Sequence, residues 1–260
     1  MAINQKYVPA GLEILHEDRD LVVVSKAAGL LTVDDGRDSR TAYSLLTHYV
    51  KKGQPKSRNR IFVVHRLDRE TSGLLIFAKS EDAKSKLQLD WEQTEKIYLA
   101  IVDGKPAPPE GKIVSYLTEN SAYKVFSTKD DRVGKRAETD YRTIKPIGDE
   151  RALVELKILS GRKHQIRVHM ADKGHPVVGD SKYGRRIKGL KRIALHAHKL
   201  TFAHPHSGDT LSFEAPVPPN FFGMGGMASE LKTEPSRSKE ATTAAKKEKN
   251  RRRRTSGPKA

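Results

Sequence analysis

Short apolar runs separated by charged turns dominate the chain. Residues 12–26, LEILHEDRDLVVVSK, hold two β-forming runs about an Asp/Arg turn. RIFVVH (60–65) and SGLLIFAK (72–79) are continuous apolar runs suited to buried strands. KIYLAIV (96–102), GKIVSYL (111–117), AYKVFST (122–128), AETDYRTI (137–144) and ALVELKIL (152–159) follow as further strands with polar connections. Two segments show helical spacing instead. In TAYSLLTHYVKK (41–52), Ala42, Leu45, Leu46 and Tyr49 share one face, with Ser39 as the expected N-cap. In EDAKSKLQLDWEQ (81–93), capped by Ser80, the inward stripe is Ala83, Leu87 and Trp91. KHQIRVHMADKG (163–174) predicts a short helix closed by Gly174, and RIALHAHKLTF (192–202) and TLSFEAP (210–216) complete the strands. Many strands, some joined as hairpins, with few helices between, predict an α+β fold: a mixed, mostly antiparallel sheet with flanking helices. No repeat of fixed period is present.

Charge changes this picture more than hydropathy does. The 260 residues carry +17, with a pI of about 9.9 and a mean hydropathy of −0.64. A field of that sign favours a polyanionic partner. From Ser229 to Ala260 eleven Lys/Arg face four Asp/Glu, which is +7 and leaves +10 to the body. We therefore divide the chain into a folded body (1–222) and a basic tail (223–260). The tail has too few apolar side chains to offset the entropy of ordering, and is expected to be disordered. It serves either to keep the protein in solution or as a nonspecific phosphate clamp, and RRRR (251–254) also fits a nuclear address. There is no cysteine, which excludes disulfides, Cys-ligated zinc, iron–sulfur clusters and thiol nucleophiles. The N-terminus lacks a secretory pattern and no apolar run reaches membrane-spanning length. A cytoplasmic protein that does not enter a membrane is expected.

Four stretches carry groups capable of chemistry. In VVHRLDRETSGLLIFAKS (63–80), Asp68 lies beyond a strand between Arg66 and Arg69. Neighbouring cations favour the ionised carboxylate, which can act as nucleophile or general base. The plain alternative is an Asp closing a turn beside solvated arginines. SGRKHQIRVHMADKGHP (160–176) gathers Arg162, Lys163, His164, Arg167 and His169 at a helix start, with Lys163 and Arg167 four apart on one expected face. This suits a phosphate seat or a partner for a buried carboxylate, and equally a solvated basic face. Tyr98 in EKIYLAIVDGK (95–105) is either a core ring or a platform on which a base stacks. In LHAHKLTFAHPHSG (195–208), His196, His198, His204 and His206 form two His-x-His pairs. No carboxylate is suitably spaced to complete a metal site, so ordinary polar positions and no metal are expected.

HRLDRETSGLLIFAKS, EKIYLAIVDGK, GRKHQIRVHMADKGHPVVGDSKYG and LHAHKLTFAHP occur in that order, after an opening LEILHEDRDLVVVSKAAGLLTV. Over roughly residues 12–219 the chain resembles the RluA-type family of RNA pseudouridine synthases. The resemblance implies the pseudouridine synthase catalytic fold and the isomerisation of uridine to pseudouridine within RNA. The N1–C1′ glycosidic bond breaks, the uracil turns, and it rejoins through C5. The family's aspartate maps onto Asp68, its tyrosine onto Tyr98 and its aspartate-pairing basic residue onto Arg167. Arg66 maps onto the arginine that fills the gap left by an extracted nucleotide, and Arg69, Arg162, Lys163 and His164 are expected to contact RNA. No cofactor or metal is implied. Many relatives carry an S4-like RNA-binding domain ahead of the catalytic one. Here catalytic-type sequence starts almost at once, so RNA affinity is expected from the body. The expected substrate is a structured ribosomal RNA (23S type), acted on by a monomer; tRNA, or both RNAs, is the alternative. A noncatalytic RNA-binding protein on the same fold is a second alternative. A nuclease or glycosidase using Asp68 and Glu70 is a third, disfavoured by the lack of a metal-binding carboxylate cluster in the sequence.

Overall fold

The computed structural model describes residues 8–36, 38–54, 56–190 and 192–222; the basic tail from 223 lies outside them. In chain order the elements are β1 (Leu12–Glu17), β2 (Leu21–Lys26), α1 (Ala42–Lys51), β3 (Phe62–Val63), β4 (Ser72–Ala78), α2 (Glu81–Leu89) and β5 (Glu95–Asp103). Then come β6 (Glu110–Glu119), β7 (Val125–Thr128), β8 (Lys135–Ile147), β9 (Arg151–Ile158), α3 (Gln165–Asp172), β10 (Leu195–Ala203) and β11 (Thr210–Glu214). All eleven strands join one sheet of order β1-β2-β4-β10-β5-β9-β8-β6-β7, with β3 added to β4 and β11 to β10. Every pairing is antiparallel except β4 with β10, so the expected mixed, mostly antiparallel sheet is what forms. No described helix is long and apolar enough to cross a membrane.

The continuous apolar run of β4 is buried at all seven positions, as a central strand covered on both faces requires. Tyr49, Leu46 and Ala42 of α1 cover one face with Val22, Val24, Leu75 and Phe77. Ala83 and Leu87 of α2 cover the other with Val23, Leu74 and Ile76. Across the sheet, Ile166 and Met170 of α3 seal the β5–β9 region.

Three local expectations need correction. The N-cap of α1 is Thr41 rather than Ser39, because Ser44 completes a reciprocal capping box with Thr41. Trp91 lies beyond the end of α2; it is held by stacking on the His65 ring at 4.5 Å rather than by a helical stripe. Lys163 and Arg167 do not share a helix face, because His164 takes the left-handed conformation (φ 55°) and α3 starts only at Gln165.

The parallel seam between β4 and β10 pairs Ser72 with His196 and Gly73 with Ala197. Gly73 has φ +114°, and a Cβ there would lie 2.1 Å from the Ala197 carbonyl oxygen. Only glycine tolerates both the conformation and the approach. The Ser72 hydroxyl meets His196 Nδ1 at 2.8 Å across this seam. The loop that enters β4 therefore leaves from a tightly fixed point.

Candidate active site

That entering loop carries HRLD. Its course is set by backbone bonds rather than by its own side chains. The buried Thr32 hydroxyl donates to the Leu67 carbonyl (2.9 Å) and accepts the Leu67 N–H (3.1 Å), pinning the residue before Asp68. The Arg69 carbonyl accepts from Gly29 N–H at 2.7 Å and from Lys26 Nζ at 3.3 Å. Lys26 is buried and also donates to the carbonyls of Leu30 and Ala27, so all three ammonium protons have acceptors. Burial draws its pKa down to about 7, against the raising influence of Asp68 and Glu70.

Asp68 projects from this loop onto the wall of a cleft of about 1170 Å³. From α3, Arg167 Nη1 donates to Asp68 Oδ2 at 2.9 Å. The other edge of the same guanidinium is gripped by Asp180, with Nε–Oδ2 2.7 Å and Nη2–Oδ1 3.0 Å. Arg167 is thus held by two carboxylates, and its planar fork fixes their relative placement. Burial opposes the Arg167 charge, but Asp180 and then Asp68 outweigh it, and its pKa is raised. Asp180 is fully buried and accepts the backbone N–H groups of Lys182 (3.0 Å) and Tyr183 (3.2 Å).

Tyr98 enters from β5 and lines the same cleft. Burial and the charge of Asp68 both raise the pKa of its phenol, which is therefore protonated at neutral pH. A smaller recess of about 70 Å³ lies between Tyr98, Asp68, Thr71, Ile158, Ile166 and Leu195. Arg66, Arg69, Arg162, Lys163 and His164 all line the main cleft. Arg66 is exposed. Arg69 reaches Asp38 (3.3 Å) and the Gly29 carbonyl, Arg162 the Arg136 carbonyl, and Lys163 pairs with Glu119. The volume exceeds the usual small-molecule range and the rim is cationic, as a polyanion's seat should be.

The structure thus brings Asp68, Tyr98 and Arg167 to one cleft. It adds Asp180 and Tyr183, which sequence reasoning passed over. Both stand in VVGDSKYG, only 13 and 16 residues beyond Arg167, but read there as turn residues.

The histidine cluster also departs from expectation. His196 is a buried seam residue. His204 Nε2 and His206 Nδ1 instead meet Asp18 and Asp20, at 3.3 Å and 3.0 Å respectively. Carboxylates do converge there, brought by the β1–β2 turn. Yet His204 Nδ1 accepts the N–H groups of His206 (3.3 Å) and Ser207 (3.1 Å). The neutral ring then carries its proton on Nε2, facing the carboxylates and occupying the lone pair that a metal would need.

Comparison with known proteins identifies the family. Residues 20–172 match the family model described as RNA pseudouridylate synthase. The chain is 38% identical over 213 residues to the RNA pseudouridine synthase YhcT of Bacillus subtilis, covering 80% of this chain and 69% of that protein. It is 38% identical to ribosomal large subunit pseudouridine synthase D of Zymomonas mobilis, with the same 80% and 69% coverage. The dual-specificity RNA pseudouridine synthase RluA of Escherichia coli is 35% identical, over 79% of this chain and 93% of that protein. Among solved structures, human RNA pseudouridylate synthase domain containing 4 superposes with a TM-score of 0.68 at 25% identity, covering 84% of this chain and 93% of that one.

Proposed function

The chain belongs to the RNA pseudouridylate synthase family, and from that premise we propose that it isomerises a uridine in structured large-subunit ribosomal RNA, with Asp68, Tyr98 and Arg167 carrying the reaction. The observation that supports these roles best is the 2.9 Å contact from Arg167 to Asp68 at the wall of the cleft, across 99 residues of sequence. The ribosomal assignment rests on the similarity to enzymes named for the large subunit. A second reading, tRNA as an additional substrate, rests on the similarity to dual-specificity enzymes.

A stacked uridine offers no access to C1′, so the nucleotide leaves its stack, at a cost of a few kcal/mol that is least in a loop. Arg66, exposed at the cleft, offsets part of this by occupying the gap. Tyr98 stacks on the everted uracil. Asp68 then bonds to C1′, or steadies the cationic sugar while a glycal forms, as the N1–C1′ bond opens. Burial, and after it the charge of Asp68, keep the Tyr98 phenol protonated. As the uracil rejoins through C5, the C5 proton leaves and N1 takes one up, so the step is balanced in protons, with Tyr98 acting as a neutral phenol that stacks on the base. Rotation and rejoining through C5 complete an isomerisation that transfers no electrons and no external group. We take the body to act as a monomer in the cytoplasm, with no cofactor.

The test is Asp68→Asn, read by nucleoside analysis of treated ribosomal RNA. Pseudouridine formation is lost while RNA affinity stays within about two-fold of wild type. Turnover retained by this variant would refute the assignment. Site mapping in total RNA with and without the gene identifies the uridine and decides between ribosomal and transfer RNA.

A further inference from the structure

Asp68 receives a second approach that its family role does not explain. His164 Nε2 stands 3.7 Å from Asp68 Oδ2, the same oxygen that Arg167 already binds. Oδ1 has no hydrogen-bond partner among the described residues. The two carboxylate oxygens are therefore unequal: one is anchored and one is open.

The protonation of His164 is set from behind. Its Nδ1 lies 2.7 Å from the Tyr183 hydroxyl. That hydroxyl oxygen accepts the N–H of Val125 at 3.1 Å, which leaves its own proton for Nδ1. A ring that accepts at Nδ1 carries its proton on Nε2, toward Asp68. The same Tyr183 ring lies 5.3 Å from the Arg167 guanidinium, so one side chain supports both groups that face Asp68. The ring of His164 is nearly buried, with 11% of its side chain exposed. Its backbone is in the left-handed region (φ 55°), a conformation that is costly for a non-glycine residue and that concentrates at functional sites.

We propose that His164 is an uncharged second donor to Asp68, locked in its Nε2–H form by Tyr183, and that the pair reserves Oδ1 as the oxygen that meets C1′. At 3.7 Å the free protein shows an approach that tightens into a hydrogen bond when RNA expels water from the cleft. A neutral donor suits this place. A second cation beside Arg167 would lose its counterion when Asp68 bonds to C1′, because Asp180 is already committed to Arg167. The groups facing the ring are Asp68 from the HRLD loop, Arg167 from α3, Lys163 beside it, Lys182 and Tyr183 from the segment after α3, and Glu119 from β6. Burial comes first in keeping the ring neutral, Asp68 opposes it, and Arg167, Lys182 and Lys163 add to it.

This inference rests on the reading of Asp68 above, and His164 and Tyr183 act in it as positioning residues. The experiment compares Tyr183→Phe, His164→Gln and His164→Leu with wild type in single-turnover pseudouridine formation across pH, with RNA affinity and thermal melting measured on each. Tyr183→Phe keeps the ring beside Arg167 and removes only the hydroxyl. It is expected to lower kcat about ten-fold with RNA affinity unchanged. The acid limb of its rate profile should move to higher pH, because the neutral imidazole has lost the donor to Nδ1 that favoured it. His164→Gln retains an N–H donor and should keep most of the rate, with an acid limb that no longer contains an imidazole. His164→Leu, equally strained at the backbone, should lose more than ten-fold. A Tyr183→Phe variant that folds and shows wild-type kcat with an unmoved acid limb would overturn the proposal, as would equal rates for His164→Gln and His164→Leu. Nitrogen NMR of the wild-type imidazole supplies a readout independent of activity: protonation at Nε2 supports the lock, and protonation at Nδ1 overturns it. Asp68→Asn run alongside keeps the two levels apart, since turnover in that variant removes the site itself rather than its second donor.

Discussion

Among the described residues, carboxylates and imidazoles meet at two places, with different consequences. At the end formed by the β1–β2 and β10–β11 turns, Asp18 and Asp20 face His16, His204 and His206 at 2.8–3.7 Å. Around α3, Asp68 and Asp180 share Arg167, with His164 beside them. The turn cluster is partly solvated, and its charges close on one another. Asp18 spends its Oδ1 on the N–H groups of Asp20 and Leu21 and its Oδ2 on histidines. In the cleft a fully buried carboxylate saturates one edge of the guanidinium, and a carboxylate oxygen of Asp68 is left over with no hydrogen-bond partner among the described residues. Convergence of charge alone is therefore a poor marker of chemistry. An unspent group at the wall of a large cleft, held by spent groups behind it, is a better one.

The sharpest way to break this contrast is Asp180→Asn. Removing a partner from a buried ion pair costs up to about 3–5 kcal/mol, and here Arg167 is left with Asp68 alone to balance its charge. It also frees Arg167 to turn away from Asp68, for which a loss of about 100-fold in kcat is expected. Melting temperature and single-turnover rate together check this. A variant with wild-type values for both would show that Asp180 holds nothing that matters.

Next in size is an acid window set by imidazoles buried away from both clusters. His169 and His196 are fully buried, and burial pushes each ring down to about 4. Unfolded chains take up those protons below about pH 6.5, so the stability they confer is complete above that value and is lost as pH falls toward 4. Roughly 2 kcal/mol for each ring should disappear between pH 7 and pH 5. Urea melts at the two pH values measure it, and a flat result would contradict the buried, neutral assignment.

The smallest effect is expected at the turn cluster. Burial opposes ionisation of Asp18, but His16 and the amides of Leu21 and Asp20 outweigh it, and its pKa is lowered. Asp18→Asn preserves the turn and removes a charge in partial contact with water, so it should cost no more than about 1 kcal/mol. That contribution belongs to pH values above the ordinary aspartate range and fades as acid protonates the group. Turnover at neutral pH should be unchanged; a loss would mean that the far end of the sheet communicates with the cleft.

Much of this was readable from residues alone, and the misses share a cause. Asp68, Tyr98 and Arg167 were singled out by the resemblance that four motifs in order carry, since each stretch taken alone also fits a turn, a core ring or a solvated basic face. Strand β4 was legible because seven apolar residues in a row leave few alternatives. Spacing along the chain failed wherever the answer lay across it. Asp18 and Asp20 are more than 180 residues from His204, so no local pattern links them. Asp180 has the sequence appearance of a turn aspartate, and its second task exists only once Arg167 is packed against it. Lys163 and Arg167 were paired on the assumption of unbroken helix, which the left-handed backbone of His164 ends. Ser39 was the expected cap of α1, but the reply of the Ser44 hydroxyl gives that place to Thr41.

The parallel seam has a consequence for how the protein is made. Strand β10 is next to last among the described strands, yet it is wedged between β4 and β5, which are synthesised some hundred residues earlier. Until it arrives, β4 and β5 have an open gap between them, and the floor connecting Asp68 to Tyr98 does not exist. A nascent chain emerging from the ribosome therefore carries Asp68, Tyr98 and Arg167 in an incompetent form until β10 has been made and inserted.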